Sequence, residues 1–161
     1  MTRRYLLTAS VALLLLSGCG GGRLRPLAGL NQQLNQLGQG RSPSLSGGWL
    51  ALIAARGSGR VQVQLIDVNR RNPVPLPGLN RPDALPISVA VDQNAERLAV
   101  VRQREDRTEL VLYKRSLQAT QLLPMEPAGV PRQVSFSADG RVLAVEVSRG
   151  GLWQIDLLEI P

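Results

Sequence analysis

The sequence predicts an all-β fold built from about three repeated units, each a small antiparallel sheet. Similar segments recur every 45 to 48 residues, Pro and Gly bound the units, and the apolar runs are short. Repeats of about 40–50 residues made of short strands are typical of β-propeller blades. The chain has 161 residues, of which 43% are hydrophobic, so it can bury the core of one domain and still carry a short extra segment.

The repeat is clearest between the second and third units. Pro86–Val91 aligns with Pro131–Phe136, and Leu98–Val100 aligns with Leu143–Val145 without a gap. The matching residue of the looser first unit is Leu50. We therefore expect the leucine at the head of each second strand to be buried.

Each unit closes with a third predicted strand, and these strands are Leu65–Val68, Leu110–Tyr113 and Gln154–Leu157. In this alignment Asp67 and Asp156 hold matching positions at strand ends, and Lys114 replaces them in the second unit. Aspartate at a strand end or in a turn commonly accepts hydrogen bonds from nearby backbone N–H groups. A structural role is therefore predicted for both, and also for Asp139 in its turn.

The second strands are apolar at every position rather than at alternate positions. Leu50–Ile53 and Leu98–Val101 both show this pattern, which is typical of strands that are buried on both faces. A blade packed between two other blades has such strands.

A specific turn and strand give the repeat a family resemblance. Ser137–Val145 resembles the S-x-D-G-[KR]-x-[IL]-A-[FV] signature of TolB-like, WD-repeat-like β-propellers, and the resemblance extends over residues 43–158. The second unit departs from it, because Asp92–Glu96 replaces the Ser-x-Asp-Gly turn. The resemblance implies a non-catalytic role in envelope or transport-associated assembly. Propellers of this family usually have six blades, so three blades imply a partial ring or one completed by a dimer.

The N-terminus is predicted to be an export signal. Arg3 and Arg4 precede the apolar stretch Tyr5–Leu16, which is shorter than a membrane-spanning helix. Leu16–Cys19 resembles the bacterial lipobox, and that resemblance implies cleavage after residue 18 and acylation of Cys19. The alternative is an ordinary signal peptide with a chance cysteine. Gly20 follows the cysteine, where some bacteria use aspartate for inner-membrane retention, so the outer membrane is slightly favoured.

Three segments follow from this division: a lipoprotein signal peptide over residues 1–18, a lipidated cysteine and flexible tether over 19–42, and the repeat domain over 43–161. Leu27–Asn31 resembles Leu76–Asn80, which ends the first unit. We therefore expect it to form a strand that completes the last blade of a second copy in a two-fold dimer. A curved monomer that is covered by residues 23–42 or by a partner protein is the alternative.

Composition excludes several kinds of chemistry. The chain has no histidine and one cysteine, which rules out a Ser-His-Asp triad, a Cys-His pair, a histidine-bearing zinc site and an internal disulfide. We predict no catalytic residue, no metal site and no cofactor, and therefore no enzyme.

The net charge is +7, and all but one of the 19 basic residues are arginine. Export argues against a nucleic-acid partner. We expect the densest basic runs, which are Arg70–Arg71 and Arg102/Arg104/Arg107, to be solvated at turns and strand edges. Weak attraction to anionic lipid head groups is the alternative.

For the remaining polar and aromatic residues we expect structural or solvent-exposed roles. Glu105–Asp106 is expected to be a solvated turn. Glu146, inside an apolar strand, is expected to be buried or at an edge, with an arginine partner from a neighbouring blade. Trp49 and Trp153 are expected to pack in the core or between blades. Ser135 and Ser137 have no base to activate them.

The function predicted from the sequence is a membrane-anchored, exported, non-catalytic scaffold or protein-interaction module. Its partners are the membrane, an unidentified envelope protein and a possible second copy. The alternative is a propeller that binds a small ligand, peptide or glycan, which would require a concave pocket lined by polar and aromatic groups.

Overall fold

The structure is a computed structural model that describes residues 24–56 and 59–160. Within them, one helix precedes three antiparallel sheets. The helix and the strands of the first sheet are α1 (Ala28–Asn35), β1 (Arg41–Ser46), β2 (Trp49–Arg56), β3 (Arg60–Asp67) and β4 (Asn72–Val74). The second sheet contains β5 (Ala84–Val91), β6 (Arg97–Arg104), β7 (Arg107–Lys114) and β8 (Ala119–Leu123). The third contains β9 (Val130–Phe136), β10 (Val142–Arg149) and β11 (Leu152–Glu159).

Each sheet is an up-and-down meander, and we name the sheets blade 1 (β1–β4), blade 2 (β5–β8) and blade 3 (β9–β11). Neighbours in sequence are neighbours in the sheet, in the orders β1-β2-β3-β4, β5-β6-β7-β8 and β9-β10-β11. The predicted all-β fold of propeller-type blades is confirmed.

The blades pack face to face through two apolar clusters. One joins blade 1 to blade 2 and includes Ile53, Leu65 and Leu98. The other joins blade 2 to blade 3 and includes Leu112 and Leu143. Because blade 2 is covered on both sides, every residue of Leu98–Val101 is buried, as the uninterrupted apolar run predicts.

Hydrogen bonds repeat along the first strands of the blades. The hydroxyl of Ser42 in β1 accepts from the backbone N–H of Val89 in β5 at 3.2 Å. The hydroxyl of Ser88 in β5 accepts from the N–H of Val134 in β9 at the same distance. Each blade is therefore held to the next by a buried or part-buried serine as well as by apolar packing.

The equivalent leucines confirm the alignment of the second strands, with one difference. Leu98 and Leu143 are fully buried, each facing the preceding blade. Leu50 is only half-buried, because its face of blade 1 is covered by α1 instead of by a sheet.

The prediction of a strand at Leu27–Asn31 is wrong. Residues 28–35 are helical, and Leu30 is buried against Leu52, Ala54 and Ile66 of the same chain. The helix places Leu30 and Leu34 one turn apart on its packed side, so this segment cannot complete a blade of another copy by adding a strand.

Candidate interaction surface

The turn aspartates support the chain locally. The Asp67 carboxylate accepts hydrogen bonds from the backbone N–H groups of Asn69 and Arg70, both at 3.0 Å. The Asp139 carboxylate accepts from the Ser137 hydroxyl at 2.6 Å and from the N–H of Arg141 at 3.1 Å. The Ser137 hydrogen bond lowers the pKa of Asp139. Both aspartates have the structural role predicted for them.

Asp156 does not match Asp67, contrary to the sequence alignment. Asp67 is the last residue of β3 and pairs with Trp49, the first residue of β2. The residue that pairs in this way in blade 3 is Glu159, opposite Val142. Asp156 therefore lies mid-strand, three residues away from the matching position.

The partner of Asp156 is the guanidinium of Arg149, across the hairpin of blade 3. Arg149 Nη1 donates to Asp156 Oδ1 at 2.9 Å, and Nη2 donates to Oδ2. This hydrogen bond lowers the pKa of Asp156 and raises that of Arg149. The same guanidinium donates to the carbonyl of Pro127, so it ties β11 to the loop before β9.

Arg102 is not solvated, which corrects the prediction for that basic run. Its side chain is 8% exposed, and Arg102 Nη2 lies 2.6 Å from Oε1 of Glu109, its cross-strand neighbour on β7. One nitrogen, Nη1, is buried without a hydrogen-bond partner. Arg70, by contrast, is 82% exposed, and the Glu105–Asp106 turn is also exposed, as predicted.

The two tryptophans have different environments. Trp49 is half-buried against the cluster between blades 1 and 2, with the Arg115 guanidinium 5.0 Å from its ring centre. Trp153 is 52% exposed, with the Arg132 guanidinium 5.0 Å from its ring centre. The prediction of a packing role holds for Trp49, but no blade among the described residues covers Trp153.

Trp153 belongs to an apolar surface that we call the open face: the side of blade 3 directed away from blade 2. Trp153, Ile155 and Leu157 alternate along β11 and are 52%, 67% and 72% exposed. Their cross-strand partners on β10 are Ser148, Glu146 and Ala144. Gln133 and Ser135 of β9 pair with Glu146 and Ala144 on the same face, and Glu159, the next outward residue of β11, lies opposite Val142.

In a blade whose outer face contacts water, the outward side chains of a strand are normally polar and the inward ones apolar. In β11 this arrangement is largely reversed. Gln154 and Asp156 lie opposite Val147 and Val145, on the side that packs against blade 2. Trp153, Ile155 and Leu157 instead point outward, whereas Leu158 packs inward opposite Leu143. A spacing of i, i+2, i+4 for Trp153, Ile155 and Leu157 is the sequence signal that could have predicted this face.

Glu146 lies on the open face and is half-buried. The nearest arginine is Arg132 of the same blade, whose Nη1 is 3.9 Å from Glu146 Oε1. The predicted partner is therefore an arginine, but one supplied by the blade itself.

Surface cavities give weak support to a ligand site. Five surface cavities in the described part of the chain have no aromatic side chain in their walls. The largest of the five, about 430 Å³, lies at the blade rim and is lined by charged and small residues that include Arg60, Asp83 and Glu105. These open hollows lack the convergent polar and aromatic groups of a small-molecule pocket.

Residues 24–56 and 59–160 contain no group of three or more Cys, Asp or Glu residues positioned to hold a metal ion. No helix in this range has the length and apolar character needed to cross a membrane. The predicted signal peptide and Cys19 lie outside the described residues.

Comparison with solved structures identifies the class of fold as a β-propeller. TolB from Acinetobacter baumannii superposes with a TM-score of 0.57 at 16% sequence identity, over 74% of this chain and 29% of that one. The β-propeller domain of the Trilobed protease from Pyrococcus furiosus, with an open velcro topology, gives a TM-score of 0.52 at 12% identity, over 76% and 42% of the two chains.

The chain thus spans less than half the length of either structure. No protein-family model matches the sequence, and no curated protein matches it.

Proposed function

We propose that this protein is a membrane-anchored, exported lipoprotein that acts as a non-catalytic protein-interaction module of the cell envelope. The observation that carries the proposal is the open face, an apolar sheet surface on a TolB-type propeller fold. Contiguous exposed apolar surface on a folded domain marks interaction sites.

The anchor is the acylated Cys19 of the lipobox-like segment. Two or more acyl chains hold a protein firmly on a membrane, whereas one chain gives marginal binding. Residues 20–22 are all glycine, and glycine-rich segments are flexible, which suits a link between an anchor and a folded domain.

The anchor is tested by Cys19→Ser, with Ser17→Ala as the matched control because it keeps a small residue in the lipobox-like segment. We expect Cys19→Ser to lose incorporation of labelled palmitate and to leave the membrane fraction after a high-salt wash. The control should keep both properties. A Cys19→Ser chain that stays with the washed membranes would refute lipid anchoring.

The interaction role is tested in cells by photo-crosslinking from a benzoylphenylalanine at position 155. The matched control carries the same group at position 117, since Leu117 is 68% exposed in the turn between β7 and β8 and Ile155 is 67% exposed. We expect one discrete protein adduct from position 155 and none from position 117. If position 155 gives no adduct, or both positions give the same smear, the interaction role is wrong.

A further inference from the structure

Positive charge is concentrated in the part of the chain that precedes blade 2. Residues 24–83, which form α1, blade 1 and the loop to blade 2, contain seven arginines and two aspartates. Residues 84–160, which form blades 2 and 3, contain nine basic and ten acidic residues. The formal charge is therefore +5 in the first part and −1 in the second, so one end of the blade stack is basic.

The run Arg102/Arg104/Arg107 adds no net charge to the surface of blade 2. Arg102 Nη2 lies 2.6 Å from Glu109 Oε1, and Arg104 Nε lies 2.9 Å from Asp83 Oδ2. The exposed Arg107 directly follows the acidic pair Glu105–Asp106 in its hairpin. Carboxylates therefore balance this run, and it offers no surplus of positive charge to an anionic partner.

The run Arg70–Arg71 differs because it is exposed in the turn between β3 and β4. Arg70 is 82% exposed, and Arg71 is exposed as well. Asp67, the one acidic residue in the sequence of blade 1, is 13% exposed and lies 3.8 Å from Arg70 Nε. Its carboxylate accepts hydrogen bonds from backbone N–H groups. One largely buried carboxylate therefore faces two guanidinium groups that contact solvent.

Arg71 lies against the first turn of α1. A Cβ atom placed on Gly29 would be 3.2 Å from Arg71 Nη1. Arg25 is exposed four residues before Gly29, and Leu24 and Leu27 on either side of it are 97% and 58% exposed. We call this surface the basic corner, and it consists of Leu24, Arg25, Leu27, Arg70 and Arg71.

Blade 2 does not cancel the charge of the basic corner. Its Asp92–Glu96 turn meets blade 1 where the carbonyl of Gln93 approaches Gly47. The Asp92 carboxylate is paired with Arg97 at 3.3 Å. Counted with the hairpin that this turn contacts, the rim here has two acidic and three basic residues: Asp92, Glu96, Arg97, Lys114 and Arg115. The rim beside the basic corner is therefore also net positive.

The predicted anchor keeps the basic corner next to a membrane. Leu24 is five residues after Cys19, and an extended chain spans at most about 3.6 Å per residue, so Leu24 lies within about 18 Å of an acylated Cys19. Residues 28–35 do not lengthen this connection, because they form α1 and pack on blade 1. The domain therefore meets the head-group layer at its basic end.

We propose that the basic corner binds the anionic phospholipid head groups of the membrane that holds Cys19. Guanidinium groups donate paired hydrogen bonds to phosphate oxygens, and exposed leucines beside them enter the boundary between head groups and acyl chains. This inference rests on the proposed function, because the anchor brings the basic corner to the membrane. The open face, at the other end of the blade stack, stays accessible to a protein partner.

The charge of the basic corner sets the size of the expected effect. Each arginine near an anionic membrane surface favours the bound orientation by about fivefold. With Asp67 opposing one of the three arginines, the net charge of +2 favours it by about 25-fold. Salt weakens this attraction, because exposed charges are screened beyond about 8 Å at physiological ionic strength.

The test uses the acylated full-length chain in vesicles that contain a lipid with a nitroxide quencher on its head group. Cys19 carries the lipid and is the one cysteine in the sequence, so Asn72→Cys places a single fluorophore beside Arg71. The matched control, Leu152→Cys, places it on an exposed residue of the β10–β11 hairpin in blade 3, at the opposite end of the strands.

The vesicles are made of phosphatidylcholine, either alone or with about 30% phosphatidylglycerol as the anionic lipid. With phosphatidylglycerol, we expect quenching at position 72 to be at least about threefold stronger than at position 152. Without it, the two positions should be quenched equally. Raising the salt concentration from about 0.15 M to about 1 M should reduce the quenching at position 72.

Charge reversal identifies the residues responsible. Arg70→Glu combined with Arg71→Glu should lower the quenching at position 72 to that of position 152, because the basic corner becomes net negative. The matched control combines Arg107→Glu with Arg141→Glu, two exposed arginines of blades 2 and 3, and should leave the quenching unchanged. Arg25→Glu, outside the helix and the strands, should also lower it, and it keeps the test valid if circular dichroism shows that the double variant is unfolded.

Flotation of the same vesicles separates this proposal from the anchor. A chain that floats with both kinds of vesicle but is quenched equally at positions 72 and 152 keeps its anchor and overturns the lipid contact. An acidic protein as the partner of the basic corner would give that result, since the vesicles contain no other protein. Equal effects of the two pairs of charge reversals would also overturn the contact, and a chain that does not float would overturn both the contact and the anchor.

Discussion

Truncation of one of the aligned leucines tests whether the blades share a packed core. Leu98 lies between blades 1 and 2 and Leu143 between blades 2 and 3, and each is 0% exposed. Leu→Ala removes three carbon atoms, which is worth about 2.4 kcal/mol at about 0.8 kcal/mol per buried methylene. If a cavity of roughly 60 Å³ remains, it adds about 1.4 kcal/mol. We therefore expect each variant to lose about 3–4 kcal/mol of unfolding free energy.

Urea unfolding followed by circular dichroism measures the loss, with Leu117→Ala as the control. Leu117 is 68% exposed, so its truncation should change the unfolding free energy by no more than about 0.5 kcal/mol. Losses below about 0.5 kcal/mol for both Leu98→Ala and Leu143→Ala would refute the packing of the blades through these residues.

Three further predictions concern single side chains. Glu109→Gln should cost about 3–5 kcal/mol in urea unfolding, because it leaves the buried Arg102 guanidinium without its counter-charge; a loss below about 1 kcal/mol would contradict it. The Arg81 hydrogen bond lowers the pKa of Asp83 to about 2 from 3.8. The ionised carboxylate therefore gives its full stabilisation at a pH above its pKa in the unfolded chain, and this stabilisation is lost as the pH falls to its pKa in the folded chain. The stability gap between wild type and Asp83→Asn should therefore narrow over that range in acid urea titrations, and a constant gap would refute this. Leu30→Ala should cost about 2–4 kcal/mol in the same urea assay, since Leu30 of α1 is 5% exposed where the helix packs on blade 1, and an unchanged midpoint would show that the helix is not packed.

The repeat was predictable because its alignment depends on buried residues. Pro86 and Pro131 lie near the start of the first strands of blades 2 and 3, and Leu98 and Leu143 of the second strands are buried. Even the altered turn of blade 2 keeps the hydrogen bonds of its counterpart. Ala95 N–H donates to the carbonyl of Asp92, as Gly140 N–H donates to that of Ser137.

The alignment of Asp156 with Asp67 was wrong because it followed sequence similarity between the third strands and not the length of the hairpins that precede them. The hairpins of blades 2 and 3 both turn through two residues, since Arg104 pairs with Arg107 and Arg149 pairs with Leu152. Counting outward from those turns places Glu159, not Asp156, at the end position. The same count places Arg102 opposite Glu109 on β7, so the sequence alone could have predicted this ion pair.

The N-terminal segment shows how one short pattern adopts two conformations. Leu-x-Gly-Leu-Asn occurs at Leu27–Asn31 and at Leu76–Asn80. In the second copy Gly78 has φ +79, and the Asn80 side chain donates to and accepts from the backbone of Val63. The first copy is helical because further leucines follow at positions 34 and 37, at the spacing of one helix face. The helical spacing of these leucines predicts the conformation of this segment better than its similarity to Leu76–Asn80 does.

The area of the open face limits the kind of contact it can make. Three strands of about eight residues span roughly 25 Å by 14 Å, or about 350 Å², whereas a standard stable interface buries about 800 Å² on each partner. The inward ion pair of Asp156 with Arg149 fixes β11 with Trp153, Ile155 and Leu157 outward whether or not a partner is present. A preformed face of this size suits a contact that forms and dissociates, and its affinity then depends strongly on each of these three side chains.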